Sequence, residues 1–272
     1  MEEQPVIHLQ FEGSFFEFTL ELQRHNTNTT NLYEFPIEVK VKHWKEAREV
    51  ESTISNQQMK LVEWIRHISL FSENRGIDFH VEHTNFDIPT LRKNIPKMRG
   101  ISVTCSKEEP DEHDILNAQK ILIPFLSDVQ NVELHRVPLQ ENFSLTHIGM
   151  VHLKELELNY QNNLNFLDVA AWNVESCVIT TMADQISLRD LNRFFKLWIK
   201  GSNPKLKEFF VYWNTETIPD WNPLLKGLKA IEKWAIEEEK HFIIRNNRDI
   251  SADIKVEHFD GDTASVCFFL SD

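Results

Sequence analysis

Residues 153–158 read Leu-Lys-Glu-Leu-Glu-Leu, and residues 206–211 read Leu-Lys-Glu-Phe-Phe-Val. Both follow one pattern: apolar, two residues, apolar, one residue, apolar. A strand turns successive side chains to opposite faces, so the last two apolar positions share one face. The residue between them, and the one just after, share the other. The first apolar position closes the turn into the strand.

The pattern recurs at Met98/Ile101/Val103, Val129/Val132/Leu134, Val174/Cys177/Ile179 and Ile231/Trp234/Ile236. A weaker copy lies at Ile77/Phe79, where Asn74 takes the first apolar position. From Met98 onward the copies start about 21 to 32 residues apart, close to the roughly 20–29 residues of a leucine-rich repeat. Two gaps are longer, and the usual asparagine is missing. The expected fold is therefore α/β: a degenerate leucine-rich-repeat-like curved solenoid with parallel strands.

Helical patterns fill the gaps. From Ser187 to Lys200, Ser187 caps with Asp190 three residues on, and Leu188, Leu191, Phe194, Phe195 and Trp198 form one apolar stripe. Gly201 and Pro204 end it. In 111–126, Ile115, Ala118, Leu122 and Phe125 share a face; in 55–71, Leu61, Trp64, Ile65, Ile68 and Phe71 do. The ends of the chain alternate like strands: 6–12, 15–22 and 37–41, then 241–245, 253–258 and 265–270, with turns expected at Gly13-Ser14 and Asp260-Gly261. A solenoid needs its terminal cores covered, so antiparallel strand caps are expected at both ends. The whole chain, 1–272, is read as one domain: a strand cap over 1–45, repeats over 55–238 and closing strands over 240–272.

Lys and Arg total 29 against 42 Asp and Glu, a net charge of -13. With no basic excess to displace counterions, nucleic acid and anionic membrane surfaces are not expected partners. No apolar run approaches a membrane span, and the acidic start Met1-Glu2-Glu3-Gln4 is not a secretory signal. Cys105, Cys177 and Cys267 are odd in number and far apart, which fits neither a disulfide framework nor a zinc site. The expected location is the cytoplasm or nucleus.

Catalytic signatures are absent. There is no Gly-x-Gly-x-x-Gly, Walker loop, His-Glu-x-x-His or Gly-x-Ser-x-Gly. His147 and His152 lack an acid or thiol between them at ligand spacing and suit surface or capping roles. Cys105 and Cys177 sit inside apolar strand patterns, as inert thiols do. The chain is expected not to be an enzyme and to use no cofactor or metal; an enzyme with dispersed residues is the least favoured alternative.

The strand pattern also defines a wall. Its off-core positions are Asp78 and His80, Ser102 and Thr104, Glu133 and His135, Glu157 and Asn159, Val178 and Thr180, Phe210 and Tyr212, Ala235 and Glu237. In a solenoid this is the concave face, where partners dock across repeats. Its first half is acidic and polar; its second half carries the adjacent aromatics Phe210 and Tyr212. Aromatic anchors flanked by acid suit a basic, apolar segment. The residues expected to bind a partner are Glu133, His135, Glu157, Asn159, Thr180, Phe210 and Tyr212. The alternative is that a helix or cap covers Phe210 and makes it core.

The segment Asn173 to Trp213, which contains VESCVITTMADQISLRDLNRFFKLWIKGSNPKLKEFF, resembles the type-2 F-box-associated domain of the large nematode F-box families. The carriers are Leu191-Asn192-Arg193-Phe194, Lys196-Leu197-Trp198-Ile199-Lys200-Gly201 and Asn203-Pro204-Lys205-Leu206. The resemblance implies a substrate-receptor role in ubiquitin ligation, in which an N-terminal F-box binds the Skp1 adaptor and the associated domain captures an unknown target protein. Here the chain enters strand-like sequence at Val6, where an F-box would be helical. No F-box is recognised, so Skp1 is not an expected partner of this chain. The competing readings are an F-box-associated target-binding module and an F-box-free scaffold or inhibitor unrelated to ubiquitination.

Overall fold

The computed structural model describes residues 6–11, 14–23, 30–45, 48–55, 58–71, 76–83, 87–140, 142–161, 164–235, 238–259 and 262–271. Four strands open the chain: β1 (Val6–Phe11), β2 (Ser14–Glu21), β3 (Glu38–Lys45) and β4 (Arg48–Ser55). They pair in sequence order as an antiparallel sheet. Alternation explains β3: Val39 and Val41 are buried, while Lys40 and Lys42 point away and pair with Glu21 and Glu17 on β2. β4 was not expected. Its sequence, Arg-Glu-Val-Glu-Ser-Thr-Ile-Ser, is polar at almost every position, so no buried face announces it.

Helix α1 (Leu61–Phe71) follows, starting later than the expected Ser55, which belongs to β4. Leu61, Trp64 and Ile68 are buried as expected; Phe71 is 58% exposed, and Ser69 is buried instead. Backbone bonds from Leu61 to Glu34 (2.8 Å) and from Val62 to Leu32 (2.9 Å) tie α1 to the segment between β2 and β3. One continuous apolar core joins these elements to the rest.

The chain then alternates: β5 (Gly76–His80), α2 (Ile88–Asn94), β6 (Gly100–Thr104), α3 (Glu112–Leu126), β7 (Asn131–His135), α4 (Leu145–Gly149), β8 (Leu153–Asn159), α5 (Phe166–Val169), β9 (Val174–Thr181), α6 (Leu188–Ile199) and β10 (Glu208–Asn214). After α7 (Asn222–Leu225) come β11 (Ile231–Ala235), β12 (Glu239–Arg245), β13 (Ser251–Phe259) and β14 (Thr263–Leu270). All strands from β5 on form one ten-stranded sheet in the order β11-β12-β13-β14-β10-β9-β8-β7-β6-β5. The run from β5 to β10 is parallel; β14 is antiparallel to β10, and β11 to β14 continue antiparallel. Parallel neighbours require crossovers, and short helices supply them.

The crossovers pack on one side of the sheet. Phe125 of α3 meets Phe79 of β5 at 5.7 Å, and Phe194 of α6 meets Phe209 of β10 at 4.7 Å. Both helices are capped, α6 as read from its sequence. Asp111 and Asp114 form a reciprocal capping box on α3, and Ser187 accepts from the Asp190 amide on α6. In α3 the buried face is wider than the apolar stripe, since Asp114 and Asn117 are also buried.

Two expectations fail. Ile231/Trp234/Ile236 is not a further repeat: β11 is the antiparallel outer edge of the sheet, with Ile231 66% and Trp234 44% exposed, and Ile236 lies outside the described residues. The reason is topological. The edge of β10 that a further parallel strand would need is occupied by β14. Nor do the closing strands form a separate cap; they extend the same sheet. Gly13 and the Asp260-Gly261 pair lie outside the described residues, although Phe259 opposes Thr263 where that hairpin was expected. Asn74 also lies outside them.

Candidate functional site

The register of the sheet is set at both ends of its strands. At the entries, the amides of Gln130 and Asn131 bond Arg99 O, those of Lys154 and Glu155 bond Gln130 O, and that of Lys207 bonds Glu175 O. At the exits, Arg136 and Tyr160 adopt positive φ, and their amides still bond the next strand, at Asn159 O and Thr180 O. β7 and β8 are thus latched at both ends before the chain turns to the helical side.

The wall positions consequently fall into two registered rows. One runs Asp78, Ser102, Glu133, Glu157, Val178, Phe210 and continues through Cys267, Lys255, His241 and Trp234. The other runs His80, Thr104, His135, Asn159, Thr180, Tyr212 and continues through Ser265, Glu257 and Glu239. All seven residues expected to bind a partner, Glu133, His135, Glu157, Asn159, Thr180, Phe210 and Tyr212, lie together on this face. Phe210 is half-buried and stands outside the core, with its ring 6.5 Å from that of Tyr212 and nearly parallel to it. Ala235 lies on the exposed edge strand, and Glu237 is outside the described residues.

The continuation across β11 to β14 was missed because those strands were read as a cap. Its signal was present: Asp253, Lys255 and Glu257 alternate with Ile254 and Val256. Trp234, read as an inward position, instead stacks on His241 at 4.9 Å.

Charge differs along the face. Lys255 bonds both Glu239 (2.8 Å) and Glu257. Burial opposes the Lys255 charge, but these carboxylates outweigh it and raise its pKa. At the other end Glu133 has its pKa raised, first by burial and then by Glu157 and Asp78. Burial pushes the Tyr212 phenol up to about 12. The Arg136 guanidinium lies 5.5 Å from the Tyr160 ring centre, at the rim beside His135.

Other candidates have structural duties. Asp111, His113 and Asp114 bring three ligand-type atoms together. The two carboxylates cap α3 and pair with Lys107, and His113 contacts Asn117. The Ser144 amide donates to His147 Nδ1 at 3.1 Å, a capping role, and Lys205 reaches His152 Nδ1. The three thiols are free and buried. Burial raises the Cys105 pKa to about 11, and it raises that of Cys177 further. Among the described residues, no helix is long and apolar enough to cross a membrane.

Residues 144–211, from the start of α4 to the middle of β10, match a family model described as F-box associated. The matched stretch contains the α6 string that carried the resemblance. Compared with curated proteins and with solved structures, the chain matches none.

Proposed function

We propose that this chain is a target-binding module of the F-box-associated kind, which seats another protein on the open face of its ten-stranded sheet. The observation that carries the reading is the registration of polar and aromatic side chains into two continuous rows on the face without the crossover helices. A binding surface made from many strands, each contributing a residue or two, suits an extended protein contact. In this reading the repeats form a curved, leucine-rich-repeat-like solenoid, and the open face is its concave wall.

The F-box-associated match over 144–211 supports substrate recognition in ubiquitin ligation as the setting. Most of the matched helix faces inward: Leu191, Phe194, Phe195 and Trp198 are buried. The family-like residues therefore build the scaffold, and the wall residues choose the target. The reading assigns no catalytic residue, cofactor or metal. It places the protein in the cytoplasm or nucleus, in keeping with three unpaired buried thiols.

The test is to change Phe210 and Tyr212 together to serine and compare captured proteins by mass spectrometry, with and without proteasome inhibition. The expected result is loss of partners with the fold intact. A folded variant with an unchanged partner set would refute the reading.

A further inference from the structure

We infer that the partner of this face is a positively charged segment with an apolar anchor, lying across the strands with its basic part over β5 to β8 and its anchor over β9 and β10. The inference rests on the open face being the docking surface. It is carried by the unequal treatment of carboxylates along that face. Over β11 to β13 the acids have lysine partners: Glu239 and Glu257 share Lys255, and Asp253 holds Lys233 at 2.7 Å.

Over β5 to β8 the arrangement is the reverse. Asp78, Glu133 and Glu157 share one row, and Glu133 and Glu157 are direct register partners. Among the described residues none of the three has a cation within ion-pairing distance. Glu157 accepts from a neutral amide, Asn159 Nδ2 at 2.9 Å, and adjacent Glu155 from Asn131 Nδ2 at 3.0 Å. Like charges directly opposed across strands destabilise a sheet, and the pKa of Glu133 is raised first by burial and then by that repulsion. A lysine or arginine from a partner would supply what Lys255 supplies at the other end. A phosphate-bearing partner would be repelled.

Next along the same row come Val178 and Phe210, with Tyr212 beside Phe210. Two strand spacings separate Glu157 from Phe210, about 10 Å. That matches a basic residue and an anchor about three residues apart in an extended segment, or about seven apart on a helix.

The experiment is selection of a random-peptide phage library on the full chain, followed by affinity measurement of the synthetic winners. Expected winners carry Lys or Arg with an aromatic or aliphatic residue at one of those spacings. They should weaken about tenfold on Glu133→Gln/Glu157→Gln, and weaken as salt rises. Acidic winners, no winners, or affinities untouched by the glutamine pair would overturn the inference. Winners that fail on Phe210→Ser/Tyr212→Ser yet ignore the glutamine pair would overturn the charge assignment and leave the docking face standing.

Discussion

The Trp198 indole of α6 meets the Phe268 ring of β14 edge-on at 4.9 Å, and Phe195 stacks on the same ring at 5.7 Å. One helix thus joins the parallel strands to the antiparallel extension. Trp198→Ala removes a buried side chain from that junction and should cost about 3–5 kcal/mol. Urea denaturation checks this; a variant that unfolds with the parent would show that α6 does not hold β14.

Gly149 of α4 lies so close to the Trp172 indole that a Cβ there would clash with its Cγ, Cδ1 and Cδ2. Gly149→Ala should therefore destabilise by about 1–3 kcal/mol through overpacking. Trp172→Leu should recover part of that loss in the double variant, because the two sites are in contact. Thermal melts of the four proteins close the cycle.

Asn203, in the string after α6, is only 4% exposed and has a φ of 48°. Its Nδ2 donates to Val169 O at 3.0 Å. Asn203→Ala would remove one of the two hydrogen bonds that Val169 O accepts, the other coming from the Trp172 amide at 3.1 Å, and put a residue without local hydrogen bonding in the left-handed region. A loss of about 1–3 kcal/mol is expected. Asn203→Gly relieves the backbone but still lacks the side-chain hydrogen bond, so it should show only part of the loss in urea titrations.

The raised pKa of Glu133 gives a pH signature. A carboxyl whose folded pKa lies above its unfolded value is better tolerated protonated, so stability falls as pH rises from the unfolded value through the folded one. Glu133→Gln should raise Tm at neutral pH, and the gain should vanish in acid, where both states of Glu133 are protonated. Melts across pH 3 to 7 read this; a gain that persists in acid would assign the effect to something other than charge.

Skp1 should not bind this chain. The resemblance implies a helical adaptor-binding F-box, whereas Val6–Phe11, Ser14–Glu21, Glu38–Lys45 and Arg48–Ser55 are strands. Saturable binding of purified Skp1 in calorimetry would reveal an adaptor site of another kind.

The wall residues were legible because strand alternation is a local rule: once Leu156 and Leu158 point inward, Glu157 and Asn159 must point outward. Capping at Ser187 and the stop at Gly201 were legible for the same reason, since each depends on residues within one turn. Strand partners are not local. Ile231 and Trp234 spell the same pattern as the parallel strands, yet β11 ends at the sheet's far edge because β14 had taken the place beside β10. That choice depends on Phe268 reaching Trp198 and Phe195, residues distant in sequence. By itself the sequence determined which side chains share a face. Only the tertiary structure decided which faces became neighbours, because pairing energy depends on the strands that remain free once the core has closed.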